Sequence, residues 1–246
     1  MNNYEKLEGM VAATFTPLDE NGDVNLSVID KYADWIASTP IKGVFVCGTT
    51  GEFSSLTIDE RKLILEKWLV SARKRFKVIA HVGSNCQRSA MELARHAAQV
   101  GADAIASIAP SFFKPGTVDE LVDFFAPICH SAAGLPFYYY NMPSITGVNL
   151  PVDKFLVEGK KKIPNLVGTK FTHNNLMEMG VCIELEQHRF EVLHGYDEIL
   201  ISGLAMGAVA GVGSTYNYIP NVYQAIFYSM KMNDLETARH NQKKSI

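Results

Sequence analysis

Lys170 is the residue with the clearest capacity for covalent chemistry. It ends the segment Leu166–Lys170, in which the four preceding residues are apolar or small. That composition is typical of a buried strand, so we expect the amine at the mouth of the fold. Burial disfavours the ammonium form and supplies a neutral amine that can attack a carbonyl carbon. Alternatively, the alkyl stem packs at the strand end while the charge reaches solvent, and both interpretations stay open.

A tyrosine ends another apolar segment. Tyr138, Tyr139 and Tyr140 are consecutive, and Asn141-Met142-Pro143 follows them. Because side chains alternate along a strand, we expect Tyr138 and Tyr140 on one face and Tyr139 on the other. A phenol at the carboxyl end of a strand can relay a proton where water is excluded. Packing in an aromatic core is the alternative role for such a residue.

Three polar loops follow other apolar segments. Gly48–Glu52 and Gly211–Thr215 combine glycines with hydroxyl side chains, so their backbone N–H groups can hold a carboxylate or phosphate. Ordinary turns are the alternative, and the second loop lacks the third glycine of a dinucleotide fingerprint. In the third loop, Asp197 and Glu198 can accept hydrogen bonds from a polyol or cap the next helix.

The elements that would position these residues alternate along the chain. Amphipathic segments separate the apolar ones, and Thr57–Glu60 and Thr117–Glu120 fit the capping box that begins a helix. The candidate strands are Val11–Phe15, Gly43–Cys47, Val78–Val82, Ala104–Ile108, Phe137–Tyr140, Leu166–Lys170, Phe190–Leu193 and Val209–Val212. Strict alternation predicts an α/β fold with a parallel sheet, either a closed barrel or an open doubly wound sheet. The length favours a (β/α)8 TIM barrel, which needs about 250 residues and gathers its chemistry at the carboxyl ends of its strands.

Composition excludes several functional classes. The chain has 246 residues, 23 Lys and Arg against 26 Asp and Glu, and a net charge of −3, so it lacks a basic surface for nucleic acid. No apolar stretch is long enough to span a membrane, and residues 1–6 lack the apolar core of a signal peptide. Four scattered cysteines without metal-ligand spacing predict free thiols in the cytoplasm. We therefore expect a cytoplasmic protein that binds a small molecule, with no metal, nucleic-acid or membrane partner.

Four motifs together carry a resemblance to a known family. Gly48–Glu52, Tyr140–Pro143, Gly168–Lys170 and Gly211–Ser214 occur in the order found in the N-acetylneuraminate lyase and dihydrodipicolinate synthase family of pyruvate-dependent Schiff-base aldolases. The chain resembles this family from about Leu7 to its carboxyl end. The resemblance implies a (β/α)8 barrel, usually a homotetramer, that works without a cofactor.

The resemblance also implies roles for individual residues. Lys170 would form the imine with the C2 carbonyl of pyruvate or of a sugar acid, and the imine would accept electrons when the C3–C4 bond breaks. Tyr140 would move the proton of the C4 hydroxyl, through the carboxylate of the substrate. Thr49 and Thr50 would hold that carboxylate, in agreement with the loop chemistry above.

One position separates two branches of the family. Ile145 occupies the place where the synthases that act on aspartate semialdehyde have an arginine, and an apolar side chain cannot bind a carboxylate. The chain resembles the sialic acid lyases instead in Gly195–Glu198 and Gly213–Asn217, which implies polyol-binding roles for a further set of residues. That set is Thr172, Gly195, Asp197, Glu198 and Ser214. The resemblance thus implies cleavage of N-acetylneuraminate to N-acetylmannosamine and pyruvate. The alternatives are another pyruvate-dependent aldolase, acting on a 2-keto-3-deoxy sugar acid or resembling dihydrodipicolinate synthase, and a truncated inactive homologue.

The carboxyl end of the chain predicts a helix without a stop signal. Residues 235–244 contain no glycine or proline, and family members continue into further helices that cover the barrel. We therefore expect residues 1–246 to form a single (β/α)8 barrel domain in which 233–246 begins a truncated C-terminal helical extension. Phe112-Phe113 replaces a tyrosine pair of many family members, so these two positions supply no hydroxyl for a proton relay.

Overall fold

Eight parallel strands close into a barrel in the computed structural model, which describes residues 4–246. The strands are β1 Gly9–Ala13, β2 Gly43–Val46, β3 Lys77–His81, β4 Ala104–Ile108, β5 Phe137–Asn141, β6 Leu166–Phe171, β7 Glu191–His194 and β8 Ala210–Gly213. Each strand pairs with the next, and β8 pairs with β1. The expected (β/α)8 barrel is confirmed, and the open-sheet alternative is wrong.

Helices follow the strands around the outside of the barrel. They are α1 Val28–Ala37, α2 Ile58–Ala72, α3 Gln87–Gln99, α4 Val118–His130, α5 Pro143–Thr146, α6 Val152–Lys162, α7 Leu176–Glu184, α8 Leu200–Ala205, α9 Pro220–Lys231 and α10 Leu235–Ser245. Short 3₁₀ helices occupy Phe53–Ser55, Asp197–Ile199 and Thr215–Asn217. The capping box at Thr57 is confirmed, because Thr57 and Glu60 exchange side-chain and backbone hydrogen bonds.

Every predicted strand is present, with bounds within two residues of those expected. The largest difference is in β1, which ends at Ala13 instead of Phe15. The backbone N–H of Phe15 donates to the hydroxyl of Tyr32 on α1 and not to a neighbouring strand, so the chain leaves the sheet there. A contact between distant parts of the chain therefore ends a strand that its apolar composition would extend.

Two apolar layers lie on the two faces of the barrel wall. Tyr138 and Tyr140 face the barrel interior with Phe45, whereas Tyr139 packs outward against Phe155 of α6. The predicted alternation of the three tyrosines is confirmed. It places the Tyr140 ring in the interior, in the same layer as side chains from β2 and β8.

The last described helix, α10, packs mainly on α9 and also contacts α8. The helix expected near the carboxyl end is thus present, while its place in a longer extension stays a prediction. The first three residues of the expected 1–246 domain, which also begin the stretch tested for a signal peptide, lie outside the described residues. None of the helices in the described part combines the length and apolar character of a membrane span.

Candidate active site

Lys170 lies inside the carboxyl end of the barrel, and its side chain is only 4% exposed. Its Nζ is 4.0 Å from the centre of the Tyr140 ring and 4.4 Å from that of Phe45. The buried interpretation of this lysine is confirmed. Gly168 allows the placement, because a Cβ there would overlap the backbone carbonyl of Glu191 and hold β6 away from β7.

Tyr140 contacts Lys170 through its ring and the loop after β2 through its hydroxyl. The hydroxyl lies 3.2 Å from Oγ1 of Thr49 and donates to Sδ of Met142 over 3.1 Å. Thr49 and Thr50 are both half-buried in this loop. The ring of Tyr140 thus contacts the amine of Lys170, and its hydroxyl faces that of Thr49, so groups suited to carbonyl attack and to proton transfer are neighbours.

The loop after β2 is held in a strained, closely packed conformation. Cys47 precedes it with a φ of +54°, which is rare for a residue other than glycine. Gly51 packs against the backbone of Cys47 and Thr14, and Thr16 donates from Oγ1 to the Gly51 carbonyl over 2.7 Å. Such strain is maintained only where the surroundings fix the backbone, so the position of this loop is well determined.

A second group of site residues lies at the ends of β6 and β7. Thr172 is buried, and its Oγ1 has no hydrogen-bond partner among the described residues. Gly195 packs directly on this hydroxyl and donates its N–H to the Phe171 carbonyl over 2.8 Å. An unpaired buried hydroxyl is available to a ligand that enters the barrel mouth.

Asp197 is buried beside the loop after β8, and its carboxylate is already partly engaged. Its Oδ2 accepts hydrogen bonds from Thr215, over 2.8 Å from the backbone N–H and 2.5 Å from Oγ1. Gly213 leaves room for this carboxylate, since a Cβ there would lie 2.7 Å from Oδ2. Ser214 lies between Gly213 and Thr215 in this loop and is half-buried. Helix capping and ligand binding were the two interpretations of Asp197, and bracing of the β8 loop is an additional role.

Glu198 follows Asp197 but is exposed at the rim of the site. Partial desolvation raises the pKa of its carboxyl, and the negative charge of Asp197 raises it further. Two adjacent carboxyl groups thus differ in environment, because Asp197 is buried with hydrogen-bond donors and Glu198 is near solvent. Both could accept hydrogen bonds from hydroxyl groups of a ligand.

Two buried residues to which the sequence analysis gave no role in the site, Arg61 and His81, support it from behind. Arg61 of α2 is buried and donates to the carbonyls of His81 and Gly83, over 2.7 and 2.9 Å. His81 in turn contacts the Cys47 carbonyl through Nδ1 at 2.8 Å. Burial, and then the charge of Arg61, hold the pKa of His81 well below its usual range. One ring nitrogen of His81 is therefore paired, whereas Nε2 has no partner among the described residues.

A signal for this support was present in the sequence. Arg61 stands three, four and seven residues before Ile64, Leu65 and Trp68, all buried on one face of α2. A cation on an apolar helical stripe faces the barrel and must find partners there. Burial lowers the pKa of its guanidinium to about 10. Phe45, which packs on Lys170, carried no comparable signal because it resembles any other core residue.

A groove of about 970 Å³ opens at the opposite, amino-terminal end of the barrel. Lys42, Lys77 and Asp103 are among its lining residues, and none of the expected site residues is. Chemistry in parallel barrels occurs at the carboxyl ends of the strands, so we place the active site around Lys170. Within residues 4–246, no three His, Cys, Asp or Glu side chains are grouped so as to hold a metal ion.

Comparison with known proteins decides the family. The model of the dihydrodipicolinate synthetase family matches residues 6–246, nearly the whole chain. The chain belongs to this family. Among curated relatives, the N-acetylneuraminate lyase of Gallus gallus is 44% identical over 245 residues, which are 98% of this synthetase-family chain and 80% of the relative. The N-acetylneuraminate lyase of Mus musculus is 43% identical over 237 residues, or 95% of this chain and 74% of the relative.

Solved structures of similar proteins have the same barrel. A Proteus mirabilis N-acetylneuraminate lyase has a TM-score of 0.95 at 36% identity, covering 98% of this chain and 81% of that one. The Aliivibrio salmonicida N-acetylneuraminate lyase (sialic acid aldolase) has a TM-score of 0.94 at 38% identity, covering 97% of this chain and 79% of that one. The arrangement around Lys170 is therefore set in a barrel of the same architecture as these aldolases.

Proposed function

We propose that this chain is a class I aldolase that cleaves N-acetylneuraminate to N-acetylmannosamine and pyruvate through an imine on Lys170. The observation that carries the proposal is the meeting of Lys170, Tyr140 and Thr49 inside the barrel mouth. Relatives with sequence identity above 40% over nearly the whole chain bear the name N-acetylneuraminate lyase.

The chemistry follows from the amine and the phenol. Nζ of Lys170 attacks C2 of the keto acid, and loss of water gives a protonated imine. A proton leaves the C4 hydroxyl, the C3–C4 bond breaks, and its electron pair moves into the imine to give an enamine. N-acetylmannosamine departs as the aldehyde, the enamine takes a proton at C3, and water releases pyruvate. The lysine supplies the electron sink, so these steps call for no cofactor.

Tyr140 is the group we assign to proton transfer. Its ring is held against Lys170, and its hydroxyl lies 3.2 Å from Oγ1 of Thr49. Thr49 and Thr50 would hold the substrate carboxylate, which places it between the phenol and the C4 hydroxyl. The proton would then pass through that carboxylate to Tyr140, within the short range that proton transfer needs.

The second group of residues would bind the hydroxyl groups of the sugar. We assign this role to Thr172, the Gly195 carbonyl, Asp197, Glu198 and Ser214. Oδ2 of Asp197 already accepts two hydrogen bonds from Thr215, so Oδ1 is the oxygen assigned to the substrate. Ile145 supports the choice of a polyol over aspartate semialdehyde, since its side chain is 59% exposed and carries no charge.

Assembly and location complete the proposal. Phe112 and Phe113 in the loop after β4 are 77% and 86% exposed. Adjacent aromatic rings this exposed are unfavourable on the surface of a monomer. A homotetramer would cover such rings between subunits. Cys47, Cys129 and Cys182 are buried free thiols, which agrees with a reducing, cytoplasmic location.

A substrate panel tests the proposed reaction. Pyruvate release from N-acetylneuraminate would be followed through lactate dehydrogenase, beside a 2-keto-3-deoxy sugar acid. In the reverse direction, N-acetylmannosamine and aspartate semialdehyde would be offered with pyruvate. We expect the higher kcat/KM for N-acetylneuraminate in cleavage and for N-acetylmannosamine in condensation, and no activity in Lys170→Ala. A higher kcat/KM for either competing substrate would replace the proposed substrate, and a folded chain without any activity would support the inactive homologue.

A further inference from the structure

Gln242 of α10 reaches across to the loop that carries Asp197. It is 5% exposed, and its amide makes two hydrogen bonds to the backbone of that loop. Nε2 donates to the Asp197 carbonyl over 3.0 Å, and Oε1 accepts from the N–H of Ile201 over 2.8 Å. In a continuous α-helix, the N–H of Ile201 would donate to the carbonyl four residues earlier, which is that of Asp197. The amide of Gln242 is inserted between these two partners.

The insertion falls where the chain bends. The 3₁₀ helix Asp197–Ile199 meets α8 at Leu200, and Ile199 has a φ of −128° and a ψ of 31°, outside the helical region. Without Gln242 the bend would leave the N–H of Ile201 without an acceptor in a partly buried place, which costs free energy. The Asp197 carbonyl accepts from the Leu200 N–H within the 3₁₀ helix and has a second lone pair free for Gln242. Gln242 supplies the acceptor for Ile201 and a second donor for Asp197, so its amide and the bent conformation stabilise each other.

Gln242 is itself held in place by the end of α10. Its Nε2 also donates to Oγ of Ser245 over 2.7 Å, and that hydroxyl donates to the Gln242 carbonyl over 2.7 Å. Ser245 is buried as well. The amide therefore cannot rotate freely, and a fixed amide can set the position of the loop it binds.

Asp197 is thus fixed from two sides. Its backbone carbonyl is bound by Gln242, and its carboxylate is bound by Thr215 of the β8 loop. The neighbouring Glu198 shares the same bend. The amine, phenol and hydroxyl of the other half of the site come from Lys170, Tyr140 and Thr49, which make no hydrogen bond to Gln242 within residues 4–246.

We propose that Gln242 is a positioning residue for substrate specificity: it fixes the bend at 197–201 so that Asp197 and Glu198 face the polyol part of the substrate. This inference rests on the proposed function. It separates the two halves of the reaction, because imine formation with pyruvate depends on the Lys170 side and recognition of the sugar depends on the bend.

The test compares substitutions on two neighbouring residues of α10. Q242M keeps the length of the side chain and removes both hydrogen bonds, whereas Q242E keeps the acceptor for Ile201 and loses the donor to Asp197. N241A is the control, since Asn241 donates only to Thr237 within its own helix. For each protein, KM values for N-acetylmannosamine and for pyruvate are measured in the condensation direction, together with borohydride trapping of pyruvate.

We expect Q242M to raise KM for N-acetylmannosamine by about 10- to 100-fold, the scale of a displaced binding group. In Q242M, KM for pyruvate and the trapping rate should stay within about twofold of the values for the unmutated protein. N241A should match the unmutated protein in both KM values and in the trapping rate. Q242E should show a smaller defect of the same kind. An unchanged KM for N-acetylmannosamine would overturn the inference, as would equal losses for both substrates. If Q242M does not fold, the same criteria apply to Q242E.

Hydrogen–deuterium exchange keeps this test separate from the proposed function. If the unmutated protein forms no pyruvate adduct, the proposed function fails, whatever Gln242 does. Exchange of the backbone N–H of Ile201 should still be faster in Q242M than in N241A, because this amide has lost its acceptor. Equal exchange in Q242M and N241A would show that Gln242 does not hold the bend.

Discussion

Gly195 offers a sharp test of how the two polyol-binding loops pack. A Cβ at this position would overlap Oγ1 of Thr172 and would lie 2.9 Å from its Cβ and 3.0 Å from the Phe171 carbonyl. Carbon atoms pack at about 3.5–4.0 Å, so every one of these contacts is too short. Thr172 cannot move away easily, because it is buried and its N–H donates to the Asn141 carbonyl over 2.8 Å.

Gly195→Ala should therefore cost both stability and sugar recognition. Overpacking a buried contact costs about 1–3 kcal/mol, and the rigid backbone at Phe171 favours a loss of about 2 kcal/mol in the free energy of unfolding. A loop shift of about 1 Å should lower kcat/KM for N-acetylneuraminate about 100-fold. Urea unfolding followed by circular dichroism gives the first value, and pyruvate release gives the second.

Two comparisons isolate the cause of the loss. Gly134→Ala is the control, because a Cβ at that exposed glycine would meet no atom within 4 Å. Thr172→Ala removes the overlapping hydroxyl, so Gly195→Ala should cost about 1 kcal/mol less in that background. The reasoning is refuted if Gly195→Ala unfolds at the same urea concentration as Gly134→Ala. It is also refuted if the costs of the two substitutions simply add.

Three further predictions concern the proton relay, a buried carboxyl and a helix start. Tyr140→Phe keeps the ring against Lys170 but removes the hydroxyl, so cleavage should slow about 10²- to 10⁴-fold. Borohydride trapping of pyruvate on Lys170 should persist. Loss of trapping would contradict the assignment of proton transfer to Tyr140 and imine formation to Lys170. Burial raises the pKa of Glu191 above its ordinary 4.5, so its contribution to stability is present below pH 4.5 and is lost as pH rises through the folded-state pKa. In thermal melts at rising pH, Glu191→Gln should reduce the fall in melting temperature from pH 4.5 upward. An unchanged fall would show that the Glu191 carboxyl does not cause it. Thr57→Ala removes the capping box of α2 and should cost about 1 kcal/mol in urea unfolding with unchanged kcat/KM, whereas a loss below about 0.3 kcal/mol would show that the cap is redundant.

The sequence was sufficient for the order and type of the main elements. The strands are short, nearly continuous apolar segments such as Ala104–Ile108, whose bounds agree with the structure. Buried parallel strands must have this composition, because both of their faces contact apolar layers. The alternation of Tyr138, Tyr139 and Tyr140 was predictable for the same local reason.

The parts that were not predictable depend on contacts between distant residues. Arg61 binds carbonyls of His81 and Gly83, about twenty residues further along the chain. Gln242 binds a bend whose carbonyl is 45 residues earlier. The apolar stripe of α2 indicates that Arg61 faces inward, but it does not identify the carbonyls that Arg61 binds. Gln242 leaves no local pattern in the sequence, since an amide serves equally well on a solvated helix face.

Asp197 illustrates the limit for a candidate site residue. Its type and its loop indicated a hydrogen-bond acceptor, and the structure places it in a buried position beside Ser214 and Thr215. The division of labour between its two oxygen atoms could not be predicted. It follows from the packing of the β7 loop on the β8 loop, where Gly213 leaves space for the carboxylate.

Covalent trapping at Lys170 tests the central claim most directly. The protein would be incubated with pyruvate and sodium borohydride, digested, and its peptides analysed by mass spectrometry, with Lys170→Ala as the control. The account predicts one reduced pyruvate adduct, on the peptide that contains Lys170, and no adduct in the variant. An adduct on a different lysine, or none in a sample that is folded by circular dichroism, would contradict it.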